Sequence, residues 1–254
     1  MQRRLLQSLL LLGPLLAAAC VENPPLPGSP YERPLVALAV DPPLDQGPVA
    51  RNPRIALTFN TYLDPTPLTY YNGLSLRSGG IRAGGTTDYQ LVDKALVWRT
   101  TRWMRPDLYY TLGLDKTVLF SVTGQPYEGV EQLQYLAGDF TVEEPPAEPA
   151  PVWDDVAPLF APCGTCHDDP EWRLPPITWD GLVNQPSAQQ DKLLVRPFDA
   201  PSSYLLHKLL DDYPDREGTA QPPAWAGANP LPVEDLRRIE AWIRGGARRE
   251  HAPD

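Results

Sequence analysis

The chain has 254 residues, with 32 acidic against 22 basic side chains and a formal net charge of −10. That balance argues against nucleic acid or an anionic lipid surface as a direct partner. Beyond residue 20 no apolar stretch approaches the roughly 20 residues that a membrane-spanning helix needs, so any membrane attachment has to come from elsewhere.

The N-terminus supplies a route. Residues 1–19 carry Arg3 and Arg4, then an apolar run from Leu5 to Leu16 broken by Gln7, Ser8, Gly13 and Pro14, then Ala17-Ala18-Ala19. This is the layout of a secretory signal, and loss of its two arginines makes the mature chain more acidic still. The small residues before Cys20, with Leu16 one place further upstream than usual, resemble the lipobox of bacterial lipoproteins; ordinary signal cleavage is the alternative. The resemblance implies lipidation at Cys20, and two or three acyl chains anchor a protein firmly at about 0.8 kcal/mol per buried CH₂. Val21 is not the aspartate associated with inner-membrane retention. The expected location is therefore the cell envelope, lipid-anchored in the outer membrane and facing the periplasm rather than in the inner membrane or at the cell surface.

Residues 20–34 are proline-rich and aperiodic, an extended tether. A second break at 143–151, Glu143-Glu144-Pro145-Pro146-Ala147-Glu148-Pro149-Ala150-Pro151, reads as a linker because prolines and acidic repulsion end strand and helix alike. Between the breaks, 35–142 predicts short strands at Leu35–Val40, Arg54–Asn60, Asp88–Val92, Ala95–Arg99, Tyr109–Leu114 and Phe140–Val142. Ile55, Leu57 and Phe59 set one apolar face at period two. About seven such strands in a hundred residues suit a small antiparallel sandwich. The words Val40-Asp41-Pro42-Pro43, Gly47-Pro48-Val49, Pro53–Asn60, Leu63-Asp64-Pro65 and Pro106–Leu112 resemble, in this order, a bacterial Ig-like domain family of exported proteins. The resemblance implies a spacer or interaction module without catalytic residues. Asp41, Asp45, Asp64 and Asp107 fall at turns, where aspartate bonds local backbone, and Trp98, Trp103, Tyr109 and Tyr110 suit core and rim.

The chemistry lies in Cys163-Gly164-Thr165-Cys166-His167. Cys20 accounts for the odd cysteine of an exported chain and leaves these two as a pair. Thiols three residues apart on a helical turn face one way and suit addition to two vinyl groups of one haem edge, with the next residue, His167, as axial ligand to the iron. A structural zinc would need a fourth ligand, a redox dithiol would want a βαβ context, and a plain disulfide would be silent.

Around the motif, Val156–Phe160, Leu182-Val183-Asn184, Pro186-Ser187, Leu194–Pro197, Pro201–Leu209, Pro222-Pro223 and Ala241–Ala247 resemble a family of small cytochrome c-like domains over 152–247, with 248–254 as a tail. The resemblance implies a small all-α domain after the all-β Ig-like sandwich, one covalent haem c on Cys163 and Cys166, and His167 on the iron. Independently, Pro232, Glu234, Asp235 and Gly245-Gly246 delimit a terminal helix whose Leu236, Ile239, Trp242 and Ile243 share one face. The family places a methionine on the distal side before the last helix. This chain has Gln221-Pro222-Pro223 there, leaving His207, Gln221 or an open position as the distal side and implying a lowered reduction potential. His251 reads as an exposed tail residue.

The expected function is a membrane-anchored, exported c-type cytochrome that transfers electrons at the envelope to an unnamed redox protein, and not an enzyme. The alternative is a non-catalytic lipoprotein whose Ig-like module binds a partner while the haem domain senses a small ligand at an iron lacking methionine.

Overall fold

Alternating apolar residues build the first half of the chain. The structure, a computed structural model, describes residues 32–70, 73–144, 148–169, 171, 174–223, 225 and 229–251. The signal, Cys20 and most of the tether lie outside the described residues.

The strands are β1 (Ala37–Asp41), β2 (Arg54–Phe59), β3 (Leu74–Ser78), β4 (Ile81–Arg82), β5 (Gly85–Gln90), β6 (Ala95–Thr100), β7 (Tyr109–Leu114) and β8 (Gln132–Leu136), with a short helix α1 (Pro65–Tyr70) after β2. They form two four-stranded sheets, ordered β1-β2-β6-β5 and β4-β3-β7-β8, in which every pair is antiparallel. In β2, Ile55, Leu57 and Phe59 are buried, Ile55 facing Trp98 and Leu57 facing Leu96 across the ladder. They share one core with Leu74 and Leu76 of β3 and Leu112 and Leu114 of β7. Phe140–Val142 is not a strand. Its backbone runs beside Arg51 and Asn52, with the Asn52 amide bridging both the N–H and the carbonyl of Val142.

The second half does not form the separate all-α cytochrome c-like domain that the sequence suggests. Its helices are short: α2 (Trp153–Val156), a 3-10 turn (Ala157–Cys163), α3 (Gly164–His167), α4 (Trp179–Leu182), α5 (Tyr204–Leu209) and α6 (Val233–Arg244), the last with 12 residues. Prolines at 158, 162, 175, 176, 186, 197 and 201 deny the backbone the continuous i→i−4 ladder of longer helices. Between helices, isolated bridges pair Val183 with Val195 and Pro186 with Leu193. The fold as a whole is mainly β, and one cluster of buried side chains runs from Leu35 in the sheets to Ala247 after α6.

The halves are joined by specific polar contacts. Glu240 of α6 accepts backbone N–H groups of the β5–β6 turn, Arg237 pairs with Asp93 at 2.6 Å, and Arg244 pairs with Asp88. Asp212 accepts from the Tyr62 hydroxyl and, at 2.5 Å, from Lys94 Nζ, while the Tyr62 and Tyr213 rings lie 4.8 Å apart. Among the described residues no helix is long and apolar enough to cross a membrane.

Candidate functional site

The motif sits where a 3-10 turn passes into an α turn. Pro158 suits the first positions of the 3-10 segment, and Cys163 closes it and heads α3. Trp153 stacks on Phe160 at 5.9 Å and packs at a tilt against Trp242 of α6 at 5.4 Å, which fixes this segment on the terminal helix. The Trp153 N–H and Trp242 Nε1–H both donate to the Arg248 carbonyl, at 2.9 and 3.0 Å, tying down the start of the tail.

Cys163 and Cys166 are free, half-buried thiols. Burial pushes the Cys163 thiol up, and the neighbouring Cys166 adds to it. A redox dithiol works through a thiol of lowered pKa, so this environment does not favour that chemistry. His167 Nδ1 lies 2.6 Å from the Pro175 carbonyl. A carbonyl only accepts, so Nδ1 donates, and in the neutral ring this leaves the lone pair on Nε2 for a ligand.

Cys163 and His167 line a cavity of about 260 Å³, below the ~300–1,000 Å³ typical of small-molecule pockets. Phe160, Ile177, Leu182 and Leu194 make its walls apolar. The Thr178 hydroxyl accepts the Gly181 N–H at 3.1 Å and so starts α4, which presents Leu182. The backbone N–H groups of Tyr204 and Leu205 donate to the carbonyls of Leu193 and Leu194, which sets α5 against the same wall. From α5 come Tyr204, Leu205, Lys208 and Leu209, positions i, i+1, i+4 and i+5 that share one helical face. Gln221 lines the cavity too, placed by its own N–H, which donates to the Lys208 carbonyl at 2.6 Å.

Of the two distal candidates, only Gln221 is at the cavity. His207 lies on the other side of α5, 1% exposed, its ring stacked on Tyr213 at 4.1 Å and its Nε2–H donating to the Pro201 carbonyl at 2.8 Å. Burial pulls its pKa down to about 4. Met104 is buried in the β half, and His251 is exposed, 3.9 Å from Asp155. Sequence reasoning missed Pro175, Tyr204 and Lys208; the stripe on α5 was the available signal for the last two.

The expectation of a cytochrome c-like, metal-binding centre is corrected as well. Among the described residues no group of three or more His, Cys, Asp or Glu side chains could hold a metal ion. The motif's own donors do not converge on one point, His167 Nδ1 being turned to the Pro175 carbonyl, and of the further candidates His207 and His251 are held elsewhere. In the β half, Asp64 and Asp115 accept the backbone N–H two residues on, at 2.9 Å each, as solvated turn residues do.

No family model matches the chain, and no curated protein matches it. Among solved structures it is similar to the S-layer protein rSbsC(31-844), at 12% identity and a TM-score of 0.30 over 44% of this chain and 14% of that one. It is similar to the LD transpeptidase LdtMt1 in complex with imipenem, at 12% identity and 0.29 over 40% and 39%. The N-terminal part of the bacterial S-layer protein SbsC gives 9% identity and 0.32 over 42% and 24%. The chain thus spans well under half the length of each, and at these scores the likenesses assign it neither fold nor function.

Proposed function

We propose that the chain is an exported envelope protein, lipid-anchored at Cys20, that carries one haem bound covalently through Cys163 and Cys166 and acts as a one-electron carrier rather than a catalyst. The observation that supports it is the His167–Pro175 hydrogen bond at the wall of an apolar cavity shared with Cys163.

The residues fit such a group by the chemistry of their donors. A haem would bring its own ring nitrogens and a reversible one-electron couple, so it would ask the protein for one or two donors and not for a cage of side chains. Cys163 and Cys166, three residues apart, suit two thioether bonds, and a raised Cys163 pKa keeps that thiol protonated until it reacts. His167, with its Nδ1–H turned to Pro175, would offer Nε2 to the iron; the carbonyl orients the ring. Phe160, Leu182, Leu194 and Leu209 give the cavity apolar walls, and Gln221 stands at its wall with no methionine in reach among the described residues. The linker and β half would set the distance from the membrane, and the acidic charge suits a basic protein partner.

The test is a pyridine haemochrome spectrum of the mature protein produced in a host with haem-ligation machinery. One thioether-linked haem per chain is expected, lost or reduced to a single attachment in Cys163→Ala and Cys166→Ala. A colourless mature protein would overturn the proposal. A second reading, small-ligand sensing with a partner-binding β half, is favoured by Gln221 in place of a sulfur ligand at the cavity. Carbon monoxide binding to the reduced protein without displacement of a strong ligand selects it.

A further inference from the structure

We propose that Lys208 is the anion-recognition residue of this cavity, pairing its ammonium with a carboxylate of the bound macrocycle, a haem propionate. The assignment rests on the cavity being the macrocycle site, and its test separates the two.

Three observations carry it. Lys208 lies on the cavity face of α5, and no aspartate or glutamate side chain lines the cavity among the described residues. It is therefore the one ammonium in a largely apolar wall whose other polar members are His167, Tyr204, Gln189, Ser187 and Gln221. Its ammonium has no carboxylate within ion-pair distance among the described residues. Nζ donates to the Glu217 carbonyl at 2.8 Å, and an ammonium has three protons to give.

A partly buried ammonium carries a desolvation cost that the Glu217 carboxylate, outside ion-pair distance, offsets only in part. Burial, then the nearby Arg216, accordingly pulls Lys208 below its usual value, with Glu217 opposing. A carboxylate delivered by the ligand offsets that cost in a way that an apolar ligand cannot. Tyr204, one turn earlier on α5, donates its hydroxyl to Gln189 Oε1 at 3.1 Å, so that hydroxyl is already engaged.

The experiment uses the full-length chain made in a host without haem-ligation machinery, titrated by fluorescence with metal-free protoporphyrin IX and with its dimethyl ester. The free acid should bind about tenfold tighter than the ester, as one charge-assisted hydrogen bond implies. Lys208→Met should abolish the preference while keeping the affinity for the ester, and Lys208→Arg should retain it. Equal binding of acid and ester to the unaltered chain, or a preference that survives Lys208→Met, overturns the assignment. In the haem-loaded protein, Lys208→Met should lower the midpoint potential and Lys208→Arg restore it; an unchanged potential in Lys208→Met overturns it too. A mature protein without covalent haem whose unloaded form still prefers the free acid defeats the haem proposal and leaves Lys208 standing.

Discussion

Glu240 Oε1, on the C-terminal helix, accepts the backbone N–H of Leu91 in the β5–β6 turn at 2.6 Å, and its Oε2 lies 3.4 Å from the Val92 N–H. The side chain is 4% exposed. Burial pushes its carboxyl up to about 7, against the opposing pull of the Leu91 N–H and Arg244 and with the help of Asp93. A carboxyl raised in the folded state binds its proton there while the unfolded chain has already lost it. Its contribution is therefore complete below the ordinary glutamate range and is lost as pH rises towards 7, on the order of 3 kcal/mol at most. Urea denaturation at pH 5 and pH 8 should show the unaltered protein losing more stability over this interval than Glu240→Gln, which keeps an acceptor for Leu91 but does not titrate. Glu240→Ala should cost about 1–3 kcal/mol at any pH, because it leaves the Leu91 N–H buried and unpaired. Parallel pH curves for the protein and Glu240→Gln would refute the linkage.

His207 works in the opposite direction. Its pKa of about 4 in the fold lies below that of a free imidazole, so the unfolded chain binds more protons between those values. Stability supplied by the neutral ring is full above the unfolded value and is lost as pH falls through 6 towards 4. His207→Phe keeps a ring to stack on Tyr213 and removes the titration, so its acid limb should be flatter, at an overall cost of about 1–3 kcal/mol for the unpaired Pro201 carbonyl. The same variant should leave the visible spectrum of a haem-loaded protein unchanged, since His207 does not reach the cavity. A spectral shift would place the ring on the iron instead.

How much of this was legible in the sequence depends on the range of the interaction. The period-two face of β2 and the face of α6, with Leu236, Ile239, Trp242 and Ile243 all buried, are local patterns and were readable. The tilt of His167 towards the Pro175 carbonyl spans eight residues and had no signature beyond the proline itself. β8, with glutamine at alternate positions, offers too little apolar contrast, and Phe140–Val142 has β-forming residues but is engaged by Asn52, 90 positions away. The burial of Glu240 was invisible for the same reason: its partner lies 149 residues upstream, and on the helix it reads as one more charged position. The α5 segment misled by composition. A histidine near a haem motif draws the eye, yet Tyr204, Leu205, Lys208 and Leu209 share an arc of the helix that leaves residue 207 facing away. Proline density was visible throughout; its effect was to shorten the helices and let the sheets and the C-terminal half share one core.

Helix α6 ends on a conformation that only glycine holds cheaply. Gly246 has φ +97°, and a Cβ there would meet the Phe198 ring at 2.6 Å. Its N–H donates to the Ile243 carbonyl, and Ala247 donates to Trp242, so the turn cannot relax without releasing the packing of Trp242. Gly246→Ala should cost about 1–2 kcal/mol from the backbone alone. Phe198 is 73% exposed and free to swing, so adding Phe198→Ala should recover little of the loss. Thermal denaturation of the single and double variants distinguishes these contributions: a double variant as stable as Phe198→Ala would show that the ring, not the backbone, set the cost.

Gln221 carries the functional prediction that reaches furthest, resting on the proposed haem. It lines the cavity with His167 and is held there by its N–H on the Lys208 carbonyl, a backbone contact that a side-chain change does not disturb. Gln221→Met is close to isosteric and puts a thioether where the amide stands. If Gln221 faces the iron, the variant gains a His/Met pair, whose sulfur favours the reduced state. The midpoint potential should then rise, and carbon monoxide binding to the reduced protein should weaken because a ligand has to be displaced. Gln221→Leu supplies the control, filling the same space without a donor: it should leave the potential near that of the unaltered protein and keep carbon monoxide binding. A methionine variant indistinguishable from the leucine variant in both measurements would place the distal side of the iron away from residue 221.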